Sequence, residues 1–257
     1  MKRTDVGSID WPSPLRGTER KHCRRMINKV AEVVFDSNDL LGEVIISFSG
    51  GIDSTVLAHA TTMARMIRYG DKGPEICLAY VNHQLRSKYE TREEELRTAQ
   101  FASDLGCAHC NSIHKVGEGN VQDEARRGRY DQLGRLAHDL EGLVQNEGRE
   151  ITILTGHNAN DQAETRLWNF ITGRERQGIA HHGWVEHGDK MFMVLRPLLS
   201  FTREDIERYA NVWRLTWCED SSNATDKYAR NKIRHHLIPW IEENINPGIV
   251  KMLAEDK

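Results

Sequence analysis

Residues 45–54 read IISFSGGIDS, a short apolar, β-branched run that ends in Ser49-Gly50-Gly51-Ile52-Asp53-Ser54 and passes directly into the helix-like stretch Thr55–Arg68. Strand, glycine pair and helix in that order make a phosphate site. Adjacent glycines let the backbone approach an anion and adopt angles that a Cβ forbids, so successive N–H groups can converge on phosphate oxygens. The positive end of the following helix adds to them. Ser49, Ser54 and Thr55 offer hydroxyls to further oxygens. Asp53 is a poor phosphate ligand by charge, but it makes sense if a divalent cation sits between its carboxylate and a nucleotide, so it implies Mg²⁺. Neither G-x-x-x-x-G-K-[ST] nor G-x-G-x-x-G after a strand is present.

Working outward, β-branched segments alternate with helical ones, the pattern of a parallel sheet with crossover helices. Strands are expected near 43–48, 76–82, 111–116, 151–155 and 191–196, and helices near 18–36, 54–69, 90–104, 122–140 and 160–171. This predicts an α/β fold: an open, mainly parallel sheet with helices on both faces. Ligands of such sheets lie beyond the carboxyl ends of the strands. The polar motifs obey that rule, with Ser49–Ser54 after the first strand, Asn82-His83 after the second and Gly156–Asp161 after the fourth. Pro197 closes the apolar run Met191–Leu195, and Thr202-Arg203-Glu204-Asp205 puts an N-cap hydroxyl before acidic first-turn residues. Residues 1–17, with Pro12, Pro14 and Gly17, read as an extension, 18–222 as the main domain and 223–257 as a short helical C-terminal segment.

Composition bounds the rest. The 257 residues suit one large α/β domain with a small appendage. No run of about 18 apolar residues occurs, so no membrane span is expected. The N-terminus MKRTDVGSIDWPSPLRGTERK has no apolar core of a secretory signal, and five cysteines, an odd number, argue for reduced thiols. Together these predict a cytoplasmic protein. A formal net charge of −3 gives no global nucleic-acid signature, so steering of an RNA would fall to local basic patches.

Further segments line up with one family. VNHQLR at 81–86, ARRGRY at 125–130, TGHNANDQAET at 155–165, RPLL at 196–199, EDSSN at 219–223 and RNKIRHHLIP at 230–239 follow the phosphate loop in order. In this the chain resembles the tRNA(Ile)-lysidine synthetases. The resemblance implies an N-type ATP-pyrophosphatase (PP-loop) catalytic domain, adenine nucleotide alpha hydrolase-like. Its reaction adenylates cytidine 34 in the CAU anticodon of an isoleucine tRNA with ATP, and free L-lysine then displaces AMP. Many lysidine synthetases carry C-terminal domains that grip the tRNA acceptor stem. A chain ending at Lys257 reads as a minimal version, whose affinity would rest on the catalytic domain, residues 223–257 and a homodimer or another protein.

That chemistry assigns roles. Pyrophosphate must leave, stabilised by Gly50, Gly51, the helix end and Mg²⁺ held by Asp53 and Asp161. The lysine ε-amine, with a free pKa near 10.4, must attack uncharged. Asp161 and Glu164 are three apart on one helical face and suit cation, lysine or base duties. His157 and Gly156 belong to the same turn by resemblance, with His157 near phosphate. The family expects G-[HQ]-H-x-D-D-Q here, and Asn158 and Asn160 depart from it, which removes one carboxylate. His83 is expected beside the nucleotide and Arg86 beside the RNA. Arg126 and Arg129 match the A-R-x-x-R-Y pattern and would reach triphosphate, adenylate or tRNA backbone. Arg230, Asn231 and Arg234 form a second basic stretch suited to anticodon-loop phosphates, and Trp213 and Trp217 nearby read as core residues. Cys107-x-x-Cys110 has no part in the lysidine reaction; tRNA thiolation is the alternative that would need it, and a non-catalytic ATP- or RNA-binding relative is the one the carboxylate lost at Asn160 would favour.

Overall fold

The computed structural model describes residues 11–12, 15–36, 41–83, 88–114, 121–143, 150–175, 177–218 and 229–255. Six strands form one sheet: β1 (Leu41–Ser47), β2 (Ile76–Asn82), β3 (Ala108–Ile113), β4 (Glu150–Leu154), β5 (His182–His187) and β6 (Lys190–Leu195). Their order is β3-β2-β1-β4-β6-β5. All neighbours are parallel except β5 and β6. The fold is the open α/β sheet that the sequence predicts.

Strand character follows position. Val44, Ile45 and Ile46 of β1 and Ile151, Ile153 and Leu154 of β4 are buried, the near-continuous apolar run of strands covered on both faces. Helices α1 (Gly17–Val34), α2 (Ile52–Tyr69), α3 (Lys88–Asp104) and α6 (Arg203–Trp213) pack their apolar stripes against one face. The other is covered by α4 (Val121–Leu143), whose Leu133 and Ala137 meet Ile45, Ile153 and Phe192. Helix α5 (Ala159–Ile171) follows β4 and builds a third cluster with α8 (Ile238–Asn244) and α9 (Ile249–Ala254). Between them, α7 (Ala229–Lys232) runs into a π-helical turn, Ile233–Leu237. Trp213 and Trp217 pack against the first cluster, as expected, with the Trp213 ring 4.6 Å from that of His59.

Two expectations need correction. Strand β3 starts at Ala108, three residues before the predicted 111, because Ala108–Cys110 pair with Cys77–Ala79 of β2. Cys107 therefore packs toward α2, its Sγ 3.6 Å from Thr62 Oγ1, while Cys110 sits on the opposite sheet face with its Sγ 3.2 Å from Cys77. The C-x-x-C thiols do not converge. Strand β5 has no counterpart among the expected strands; it forms a hairpin with β6 across Gly188-Asp189, where Gly188 takes φ +65°. Of the extension at 1–17, α1 already begins at Gly17, and residues 1–10 lie outside the described set.

The chain runs outward from β1 to β2 and β3, then returns across β1 to β4. Loops after β1 and β4 consequently leave the sheet side by side and in opposite directions, opening a crevice between them.

Candidate active site

The phosphate loop lies in this crevice. Gly50 has φ +77°, a left-handed conformation that favours glycine. Ser54 Oγ braces the turn: it accepts from Ser49 N at 3.2 Å and donates to the Gly51 carbonyl at 2.9 Å. Gly51 is the N-cap of α2, so the first N–H groups of the helix, from Ile52 onward, have no intrahelical acceptor and point out of its end. A further bond, Cys218 N to the Gly50 carbonyl at 2.8 Å, ties the segment after α6 to the loop.

The loop after β4 packs directly on this turn. A Cβ on Gly156 would lie 3.2 Å from the backbone of Asp53 and Ser54, so glycine permits the close approach. Asn158 then caps α5. Its Oδ1 accepts from Asn160 N at 2.9 Å and Asp161 N at 3.1 Å, and this fixes the amide so that Nδ2 donates to Asp53 Oδ1 at 3.0 Å. Asn160 Oδ1 accepts from Arg203 N at 2.8 Å and thereby docks the start of α6. The two departures from the family pattern are thus both engaged. Thr202 caps α6 as predicted, with a hydroxyl that accepts from Asp205 N at 3.2 Å.

Asp53 is the electrostatic focus. Its second oxygen receives Arg203 Nη1 at 3.1 Å. Burial pushes its carboxyl up to about 6, and Asp161 adds to this, while Arg203 and the Asn158 bond pull it back. In sequence Arg203 reads only as a helix-start residue; nothing local signals a partner 150 positions away. Asp53, Asp161 and the loop hydroxyls are hard oxygen donors, and two carboxylates beside a phosphate cradle fit Mg²⁺, which keeps waters and substrate oxygens in its shell. Among the described residues no group of three His, Cys, Asp or Glu side chains forms a protein-only metal cage.

Glu164 is fully buried on α5 and holds both arginines of the C-terminal segment. Arg230 Nε reaches Glu164 Oε2 at 2.9 Å, and Arg234 Nε reaches Oε1 at 2.6 Å. Arg234 Nη2 also bonds Asp161 Oδ1 at 3.3 Å. The π-helical turn that carries Arg234 is a backbone irregularity frequent at functional sites. Asn231 beside them is buried.

His157 is held on both sides. Arg126 Nη1 can only donate, so His157 Nε2 accepts at 3.2 Å and Nδ1–H donates to Thr155 Oγ1 at 2.9 Å. Burial lowers its pKa to about 4, which keeps this neutral tautomer. Arg129 lies one turn beyond Arg126, and burial and Arg126 press its pKa down. No carboxylate pairs with it among the described residues. His83 follows β2 with Nδ1 buried and unpartnered and its pKa lowered to about 4 by burial. The structure therefore brings Ser49, Gly50, Gly51, Asp53, Ser54, Thr55, Gly156, His157, Asp161, Glu164, Arg126, Arg230 and Arg234 around one crevice; Arg129 and His83 flank it, and Arg86 lies outside the described residues.

Comparison with known proteins gives a consistent picture. The sequence profile of the PP-loop domain matches residues 21–241. The chain is 33% identical over 211 residues to the tRNA(Ile)-lysidine synthase of Solibacter usitatus and 37% identical over 198 residues to that of a Wolbachia from Brugia malayi. These matches take in 82% and 76% of this chain but 43% of each relative. It is also 30% identical over 226 residues to the Nostoc enzyme of that name, spanning 60% of its length. Among solved structures, the U34-tRNA thiolase NcsA from Methanococcus maripaludis with its [4Fe-4S] cluster superposes with a TM-score of 0.68 at 16% identity. That match covers 92% of this chain and 77% of the thiolase, a likeness of fold.

Proposed function

The chain belongs to the PP-loop domain family, and from that premise we propose that it acts as a tRNA(Ile)-lysidine synthetase, an AMP-forming ligase that joins L-lysine to cytidine 34. ATP, Mg²⁺, lysine and an isoleucine tRNA with a CAU anticodon are the partners of this reading. The observation that carries it is the crevice, where a main-chain phosphate cradle and Asp53 meet a carboxylate pair clamped by two arginines of the C-terminal segment.

The residues divide the work. Loop amides and the α2 end take the pyrophosphate half of ATP, and Arg126, oriented by His157, reaches the nucleotide or the adenylate. Mg²⁺ held by Asp53 and Asp161 would supply positive charge against the triphosphate when bound. A cytidine O2 is a weak nucleophile and C2 a poor electrophile. Adenylation converts O2 into a leaving group, after which the lysine amine attacks C2 and AMP departs. Between the two candidate carboxylates, exposure decides. The Glu164 side chain is 0% exposed and saturated by Arg230 and Arg234, whereas Asp161 keeps 17% exposure. We assign both cation and amine duties to Asp161, and the positioning of the arginines to Glu164. Each arginine side chain is 39% exposed, leaving N–H groups for anticodon-loop phosphates. The thiolation alternative would need Cys107 and Cys110 to act together, and their thiols lie on opposite faces of the sheet.

Incubation with Mg-ATP, an unmodified isoleucine tRNA transcript and labelled lysine tests the proposal. Label in the RNA with stoichiometric AMP is expected. AMP release independent of lysine would move the assignment to another nucleophile. With no AMP formed under any condition, the chain would be an ATP- or RNA-binding relative without this chemistry.

A further inference from the structure

We propose that Arg203 is a nucleotide-engaging arginine that Asp53 holds in reserve, released to phosphate when a cation takes its place. This rests on the reading of the crevice as an Mg-ATP site. Both oxygens of Asp53 are in use, Oδ1 by Asn158 Nδ2 at 3.0 Å and Oδ2 by Arg203 Nη1 at 3.1 Å. Each oxygen keeps a second lone pair, but a cation that binds there sets its positive charge against the donor already present, and the cationic donor is the one repelled. Asn158 cannot yield without undoing the α5 cap, because its Oδ1 is committed to two backbone N–H groups and the residue is only 4% exposed.

Arg203 can yield. Its side chain is 44% exposed, it gives Asp53 a single hydrogen bond, and Nε keeps Glu207 Oε1 at 2.8 Å. Exposed ion pairs of this kind are weak. Its backbone stays put, because the N–H is anchored to Asn160 Oδ1 at 2.8 Å. The freed guanidinium thus remains at the mouth of the phosphate loop, within side-chain reach of whatever Asp53 and the cation hold. Phosphate oxygens suit a planar fork of N–H donors better than any other group that would arrive there. The exchange leaves each group a partner of opposite sign: the carboxylate trades a guanidinium for a metal ion, and the guanidinium trades a carboxylate for a phosphate. Arg203 would then brace the pyrophosphate as it separates.

Calorimetric titration of the full chain with inorganic pyrophosphate and with ATP, each with Mg²⁺ and in EDTA, tests this. Arg203→Gln should weaken Mg-pyrophosphate about tenfold, the scale of a lost hydrogen bond to a charged group, with Arg203→Lys between it and the parent. Glu207→Gln, which removes only the other partner of Arg203, should stay within about twofold. In EDTA, Asp53→Asn frees the guanidinium and should bind pyrophosphate more tightly than the parent, a gain that disappears in Asp53→Asn/Arg203→Gln. Parent-like Mg-pyrophosphate binding by Arg203→Gln, or a gain that persists in the double variant, overturns the proposal and leaves the ATP site standing. A parent chain that binds neither Mg-ATP nor Mg-pyrophosphate overturns both.

Discussion

Asp53 is pulled two ways, and each pull has its own pH signature. Burial and Asp161 raise its carboxyl from the ordinary 3.8 to about 6, so the folded chain holds this proton more tightly than the unfolded one. The sign follows: ionisation costs stability as pH rises through about 6, and protonation returns it as pH falls toward about 4. The cation binding proposed for Asp53 needs the ionised form and runs the opposite way. AMP formation should therefore decline below about pH 6 while the ligand-free protein gains stability from this group. Asp53→Asn is expected to lose about 100-fold or more in Mg-dependent AMP formation. Its ligand-free melting temperature at pH 7.5 should rise by a few degrees, read by scanning calorimetry. Asn158 allows a sharper test. Asn158→Asp keeps an acceptor for the α5 cap but replaces the donor to Asp53 with a second negative charge, so the acid limb of the AMP-formation profile should move to higher pH. Asn158→Ala loses cap and donor together and should cost about 1–2 kcal/mol in urea unfolding.

Helix α5 and the segment from Ala229 to Leu237 are joined through Glu164, a buried carboxylate under two guanidinium groups. Removing its charge leaves both cations with only the longer contacts to Asp161, 3.6 Å from Arg230 and 3.3 Å from Arg234. Glu164→Gln should cost about 3 kcal/mol by urea denaturation, with tRNA affinity falling in parallel. Arg230→Ala, at the half-exposed end of the pair, should cost less. This element also marks what a linear reading can and cannot recover. Periodicity and glycine placement locate β1, α2, β4 and α5 within two residues, since those signals are local and strong. The phosphate loop and the acidic turn at 156–164 are legible because each carries its chemistry in one run of chain. Pairing across the fold is not: Arg230 and Arg234 read as free cations, and Arg203 as a helix start, until α5 and α2 are brought beside them. The hairpin β5–β6 is hidden behind the helix–strand alternation of the rest of the chain, although Gly188-Asp189 between two alternating stretches is a turn signal. Strand β3 starts early because its partner β2, rather than its own exposed and weakly β-branched sequence, decides where pairing begins.

Across the whole molecule, the return of the chain over β1 sets the phosphate loop and the α5 start side by side, so the loop and the arginine pair share one crevice. The bond from Cys218 N to the Gly50 carbonyl adds a mechanical link. Gly50 belongs to the turn proposed to hold the triphosphate, and Cys218 to the segment that follows α6. On the proposed reading, a nucleotide that orders Gly50 also bears on the anchorage of Cys218, and coupling of nucleotide to RNA binding is the expected outcome. Thermodynamic reciprocity makes the two influences equal: whatever factor a non-hydrolysable ATP analogue contributes to tRNA affinity, tRNA must contribute to the analogue's. Filter-binding isotherms taken in both orders should give the same factor, greater than one. Through that one backbone carbonyl, occupancy of the proposed nucleotide site would become information available to the segment beyond α6.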